Sequence, residues 1–141
     1  MGASRKQLVN VWHKKGRTVL EYASPVFFST LTQEQSKQIE DVQRKAFSII
    51  LQSDYKSYEN ALHVLNQEAL VDRRNKAALN FGEKCTKNNR HYDMFPINES
   101  DRPNRIRKPF KEYFCRTDRF YNSSLPTITR MMNQKYATTN R

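Results

Sequence analysis

The chain has 141 residues, 37% of them hydrophobic and 28% charged, with a formal net charge of +11. That length suits one ordinary domain or a smaller domain with an appended arm, and no apolar run approaches the ~18 residues a membrane span needs. The charge favours polyanions: residues 1–20 hold 5 basic and 0 acidic groups, 21–66 hold 4 and 6, 67–91 hold 6 and 3, and 92–141 hold 10 and 5.

From Ser4 to about Tyr22, Leu8, Val11, Trp12, Val19 and Leu20 fall at helical spacing with Lys14, Lys15 and Arg17 between them, and the helix is expected to stop before Pro25. Val26, Phe27 and Phe28 read as an apolar hinge buried between the first two helices. The second helix has the clearest signal. Thr32 and Gln35 stand at capping-box spacing, and Ile39, Val42, Ala46, Phe47, Ile49 and Ile50 repeat at three, four and seven, leaving Glu40, Asp41, Arg44 and Lys45 for a solvated face. After the break QSDYKS, Ser57 caps a short third helix with Tyr58, Ala61, Leu62 and Leu65 on one stripe and His63 beside it. A fourth helix runs from about Ala69 to Lys87, with Leu70, Ala77, Ala78, Phe81 and Cys85 on its core face; Asn88, Asn89 and Arg90 close it, and Tyr92, Met94 and Phe95 fold back as an apolar clamp. The expected core is Leu20, Ile39, Val42, Phe47, Ile50, Leu62, Leu65, Leu70 and Phe81.

Residues 97–110 have no period and read as a linker. The following KPFKEYFCRTDRFYNSS interleaves Lys108, Lys111, Arg116 and Arg119 with Phe110, Tyr113, Phe114, Phe120 and Tyr121, and suits an extended segment as well as a helix. A last short helix starts at Ser124 or Leu125, where Pro126 fits the first turn, and Lys135–Arg141 reads as a frayed tail. The expectation is therefore a mainly α chain: a bundle of about four helices over 1–96, a linker over 97–110, and a basic, aromatic-rich arm with a short C-terminal helix over 111–141.

Catalytic and metal chemistry find little support. Cys85, Cys115 and His91 lack zinc-ligand spacing, His63 has no nucleophile in a recognisable pattern, and no glycine-rich phosphate loop is present, so neither cofactor nor metal is expected. The start MGASRK has no apolar core of a secretory signal, which points to an intracellular location, cytoplasm or nucleus.

Taken together, GRTVLEYASPVF, LTQEQSKQIEDVQRKAFSIIL, YENALHVLNQEALVDRRNKAAL, NNRHYDMFP and CRTDRFYNSSLPTITRMMN resemble the C-terminal part of reverse transcriptases of non-LTR retrotransposons of the jockey or LINE type. Those proteins show LEYASPVW, a helix with IEKVQKRA, a YEEAL helix, an L-x-x-RR helix and a closing CRT-x-R-x-x-x-S-x-x-P in the same order, matching from about Gly16 to Asn133. Phe27 and Phe28 depart from the pattern, which usually has a tryptophan and a polar residue there. The resemblance implies a thumb and post-thumb region that grips template and primer, RNA or an RNA/DNA duplex, with the fingers and palm on the missing part of the same polyprotein. It places Arg73 and Arg74 on the L-x-x-RR pair and Arg116 and Arg119 on CRT-x-R. With Lys108, Lys111 and Arg130 these are the candidate nucleic-acid contacts. The family's polymerase takes its metal-binding carboxylates from an aromatic-x-Asp-Asp turn in the palm. This sequence has no Asp-Asp pair, and Glu40 and Asp41 diverge by about 100° on a helix, so no catalytic residue is assigned and the fragment is expected not to polymerise. The alternatives are a helical protein-interaction module derived from a mobile element, or a remnant without function; a helix-turn-helix factor has no matching helix pair.

Overall fold

A computed structural model describes residues 2–88, 91–99 and 108–139, with side chains through residue 137. The chain is mainly helical, and among the described residues the sole β feature is an isolated antiparallel bridge between Ile97 and Phe110. It divides into two compact units: Met1–Ser24 with Leu31–Arg74, and Pro25–Thr30 with Asn75–Arg141. This division falls inside a helix, not at the 97–110 linker that composition suggests; residues 100–107 of that linker lie outside the described residues, as do Asn89 and Arg90 of the expected helix stop.

In the first unit, helix α1 (Arg5–Val11) opens on a capping box between Ser4 and Gln7 and runs through a π-helical turn, Trp12–Gly16, into α2 (Arg17–Glu21). A Cβ added at Gly16 would stand 2.5 Å from Trp12 Cε3, so the glycine gives the buried indole its place. The continuous helix expected to Tyr22 therefore contains a wide turn, and it ends at Glu21, ahead of the turn at Ala23, whose φ of 52° is left-handed. Pro25 follows as the second residue of α3 (Ser24–Phe27), where its ring costs no helical hydrogen bond.

Helix α4 (Gln33–Leu51) enters as expected: Thr32 Oγ1 accepts from Gln35 N at 3.2 Å and Gln35 Oε1 from Thr32 N at 3.0 Å. Phe47, Ile50 and Leu51 from α4 join Trp12 and Ala61 of α5 (Tyr58–Val64) in the core, with Leu8, Leu20, Leu62 and Leu65 packed around them. Trp12 meets Phe47 edge to face at 6.0 Å between centroids, and Phe47 stacks on Tyr58 at 6.3 Å.

Two expectations about α4 are corrected. Val42 is 48% exposed, while its neighbour Gln43 is 1% exposed and donates from Nε2 to Tyr58 Oη and to the Glu68 carbonyl, both at 3.0 Å. Glu40, read as solvated, is half-buried; its Oε1 accepts from Tyr58 Oη and from the Leu70 backbone N, both at 2.9 Å, so it serves the first turn of α6 (Leu70–Lys87). Burial and the Glu40 carboxylate push the Tyr58 hydroxyl well above the usual phenol range.

In the second unit, α6 presents Ala78, Gly82 and Cys85 to α8 (Ser124–Thr139), which returns Ile128 and Met132; Phe95 completes the cluster and Phe28, Met94, Phe110 and Leu125 flank it. Phe81, expected in the core, is 39% exposed, because the helices close on the small residues one position round. Phe28 packs here and Val26 is exposed, so the hinge is not sandwiched between the first two helices. Of the expected clamp, Phe95 is buried and Met94 half-buried, but Tyr92 is exposed. The C-terminal helix continues through Thr139, five residues into the expected tail.

Candidate nucleic-acid interface

The seven candidate cations divide by how they are held. Arg73 sits half-buried in the first unit, with Nε and Nη2 donating to the two oxygens of Glu21; that carboxylate is the first cause holding the guanidinium's pKa above its usual value. Glu21 is also 3.6 Å from Arg17 Nε. An open polar cleft of about 370 Å³ is lined there by Arg17, Asn66, Gln67, Glu68 and Arg73. Its two guanidiniums are matched by Glu21 and Glu68, so it offers no net positive charge to a phosphate. Arg74 is only 3% exposed; its Nη2 donates to Ser36 Oγ at 2.9 Å, and its Nη1 is buried without a partner among the described residues. The L-x-x-RR pair thus faces inward, toward other helices of its own unit.

Arg130 is also committed. Its guanidinium carbon lies 3.8 Å from the centroid of the Tyr121 ring, Nη1 donates to the Tyr121 carbonyl at 3.0 Å and Nη2 to Thr127 Oγ1 at 3.1 Å. These contacts tie α7 (Asp118–Tyr121) to α8, and the cation–π contact alone is worth about 1 kcal/mol at such a site.

The other four, Lys108, Lys111, Arg116 and Arg119, lie on the stretch from Lys108 into α7, and the sequence pattern explains its course. Asn133 of α8 grips Phe110 with both ends of its carboxamide, Oδ1 accepting from the Phe110 N at 2.9 Å and Nδ2 donating to the Phe110 carbonyl at 3.0 Å. Lys111 N donates to the Pro96 carbonyl at 2.9 Å, and the Tyr113 hydroxyl donates to the Met94 carbonyl. Tyr113 packs edge-on against Phe120, 6.1 Å between centroids, and burial raises its hydroxyl pKa. The open choice between helix and extended chain is thereby resolved: residues 111–115 are non-helical, and burial alternates with period two, Tyr113 and Cys115 half-covered, Phe114 and Arg116 outward. Thr117 then caps α7, accepting from the Phe120 N at 3.2 Å.

On this fixed segment Lys111, Arg116 and Arg119 are exposed, and among the described residues their side chains have no carboxylate or hydrogen-bond partner. Lys108 pairs with Glu112 at 2.9 Å, but both are about half exposed, so the pair yields readily to another anion. Phe114 is 85% exposed, the most open large apolar side chain among the described residues, and Tyr121 and Phe120 are 48% and 41% exposed. A phenylalanine left in water forgoes about 2 kcal/mol of burial. Composition marked the aromatic and basic alternation here, but only packing separates the inward Tyr113 from the outward Phe114.

Comparison with family models, curated proteins and solved structures gave no match. Among the described residues no group of three His, Cys, Asp or Glu side chains could hold a metal, and no helix is long and apolar enough to cross a membrane.

Proposed function

We propose that this chain is a non-catalytic, thumb-derived part of a retrotransposon reverse transcriptase that grips RNA or an RNA/DNA duplex through basic side chains. The ordered set of family-like motifs supports the origin. The observation that carries the binding role is the segment Lys111–Arg119, which holds three cations without a partner among the described residues and an outward phenylalanine, on a backbone pinned to α8 at the adjoining Phe110 by Asn133. Such a surface recognises phosphates and shape and is indifferent to base sequence. Chemistry is left to a palm with its own carboxylates, and the purified chain is expected to show no primer extension with Mg²⁺ or Mn²⁺.

Titrating the protein with duplex at rising salt tests the reading. Log affinity falls linearly with log salt, by about 0.9 per phosphate neutralised on DNA duplex. Replacing Arg116 and Arg119 together by alanine reduces that slope by up to about 2. Replacing Lys37 and Lys45, exposed on α4, changes it much less. Equal losses from the two double variants would mean a diffuse charge cloud without a defined surface. The exposed Phe114, Phe120 and Tyr121 favour one second reading, a protein-interaction module, which the absence of nucleic-acid binding at low salt would put ahead.

A further inference from the structure

We propose that Phe114 is a stacking platform for a single unpaired base, so that the Lys111–Arg119 surface engages the junction where a duplex gives way to a single strand. This deepens the binding role above and rests on it. Phe114 is the most exposed large apolar side chain among the described residues, yet it stands on an irregular segment tied at several points: Asn133 holds Phe110, Met94 holds Tyr113, and Thr117 caps the helix that follows. An aromatic ring displayed on a fixed backbone loses little freedom when a flat partner lies on it.

Charge decides the class of partner. A protein-binding anchor sits within apolar surroundings from which charged groups are depleted. Phe114 instead has Glu112 and Arg116 as its outward neighbours, with Lys111 and Arg119 exposed on either side, and Glu112 is already engaged by Lys108. A ring bracketed by free cations fits a ligand with a flat π-face and a negative charge at each repeat, which is a nucleotide strand. Phe114 and Arg116 are both exposed and stand two residues apart, a spacing of about 7 Å in extended chain. That separation lets one nucleotide place its base on the ring while a phosphate meets the guanidinium. Bases inside a duplex are already stacked and offer no free face, so the ring selects an unpaired one.

The test compares the whole chain on a blunt RNA/DNA duplex, the same duplex with a short unpaired tail, and the tailed duplex with abasic residues in the tail. Phe114→Ala, Phe114→Leu and Phe114→Trp serve as variants; because the ring is exposed, all three keep the wild-type circular dichroism. The tailed duplex binds wild type and Phe114→Trp about tenfold more tightly than the blunt one. Phe114→Ala, Phe114→Leu and the abasic tail all fall back to blunt-duplex affinity, with the salt slope unchanged. Blunt and tailed duplexes bound equally by wild type would overturn the stacking role and leave the phosphate grip intact. Full retention by Phe114→Leu, or equal weakening of both duplexes by Phe114→Ala, overturns it as well. Failure to bind any of the three at low salt would remove the grip and the stacking together.

Discussion

The contact between α6 and α8 rests on a glycine, and substituting it is the sharpest check of how the second unit is built. An alanine methyl at Gly82 would stand 2.5 Å from Met132 Sδ and 2.6 Å from Ile128 Cγ2, and both of those side chains are fully buried. Two terms compete. Helix propensity favours alanine over glycine by about 1 kcal/mol, whereas overpacking a closed core costs about 1–3 kcal/mol. Methionine can bend away, but Ile128 is stiff at χ1 and cannot follow, so the clash wins and Gly82→Ala is expected to destabilise by about 1 kcal/mol net. Met132→Ala alone should cost about 2–5 kcal/mol, and the double variant less than the sum, because the new methyl occupies part of the vacated space. Urea unfolding followed by circular dichroism, with m unchanged, reads all three. If Gly82→Ala stabilises by its full propensity gain and adds independently to Met132→Ala, then α8 does not lie against α6 at this point.

Phe47→Ala should cost about 3–5 kcal/mol and Phe81→Ala less than about 1, since the first ring is fully buried and the second 39% exposed; equal costs in denaturant titration would contradict the packing of both helices. Tyr58→Phe leaves Gln43 and Glu40 without the hydroxyl and should destabilise by about 1–3 kcal/mol at neutral pH. Because the folded state raises the Tyr58 pKa, its stabilisation is full below the ordinary tyrosine value of about 10 and is lost above it, so the gap between wild type and Tyr58→Phe should narrow as pH rises past that point; a gap that widens there refutes the network. Arg73→Ala should lower stability by about 1 kcal/mol through the Glu21 pair while leaving the salt slope of nucleic-acid binding nearly unchanged, whereas a slope change like that of Arg116→Ala would place Arg73 on the interface.

What could be read from the sequence follows the range of the interactions involved. The Thr32–Gln35 box, the Ser57 cap and the core position of Cys85 depend on residues three or four apart, and each stands where periodicity puts it. Gln43 displaced Val42 from the buried face because its two acceptors, Tyr58 and Glu68, come from 15 and 25 residues away, a pairing that no count of apolar positions registers. Phe81 and Gly82 show the same limit in another form. Periodicity weighs side-chain size and picks the phenylalanine, but two helices approach most closely where there is least side chain, so the position without one ends inside.

The candidate site shows why counting basic residues locates a surface poorly. Arg73 and Arg116 carry the same group and stand in equally suggestive motifs, yet they differ in what the fold brings to them. In sequence the nearest acids to Arg73 are Glu68 and Asp72. Its partner is Glu21, 52 residues away on α2, which closes both ends of the guanidinium fork; Glu68 adds only a longer-range attraction. An arginine so held can bind phosphate only by giving up a bidentate carboxylate, and the exchange gains little. Among the described residues no carboxylate reaches Arg116 or Arg119: Glu112 is engaged by Lys108, and Asp118 lies in the first turn of the helix that Thr117 caps. For those two cations the competitor is water, so a phosphate can add its charge without displacing a carboxylate. The proposed interface lies where cations stand clear of the nearby acids, and the phenylalanine left in the open falls on the same stretch.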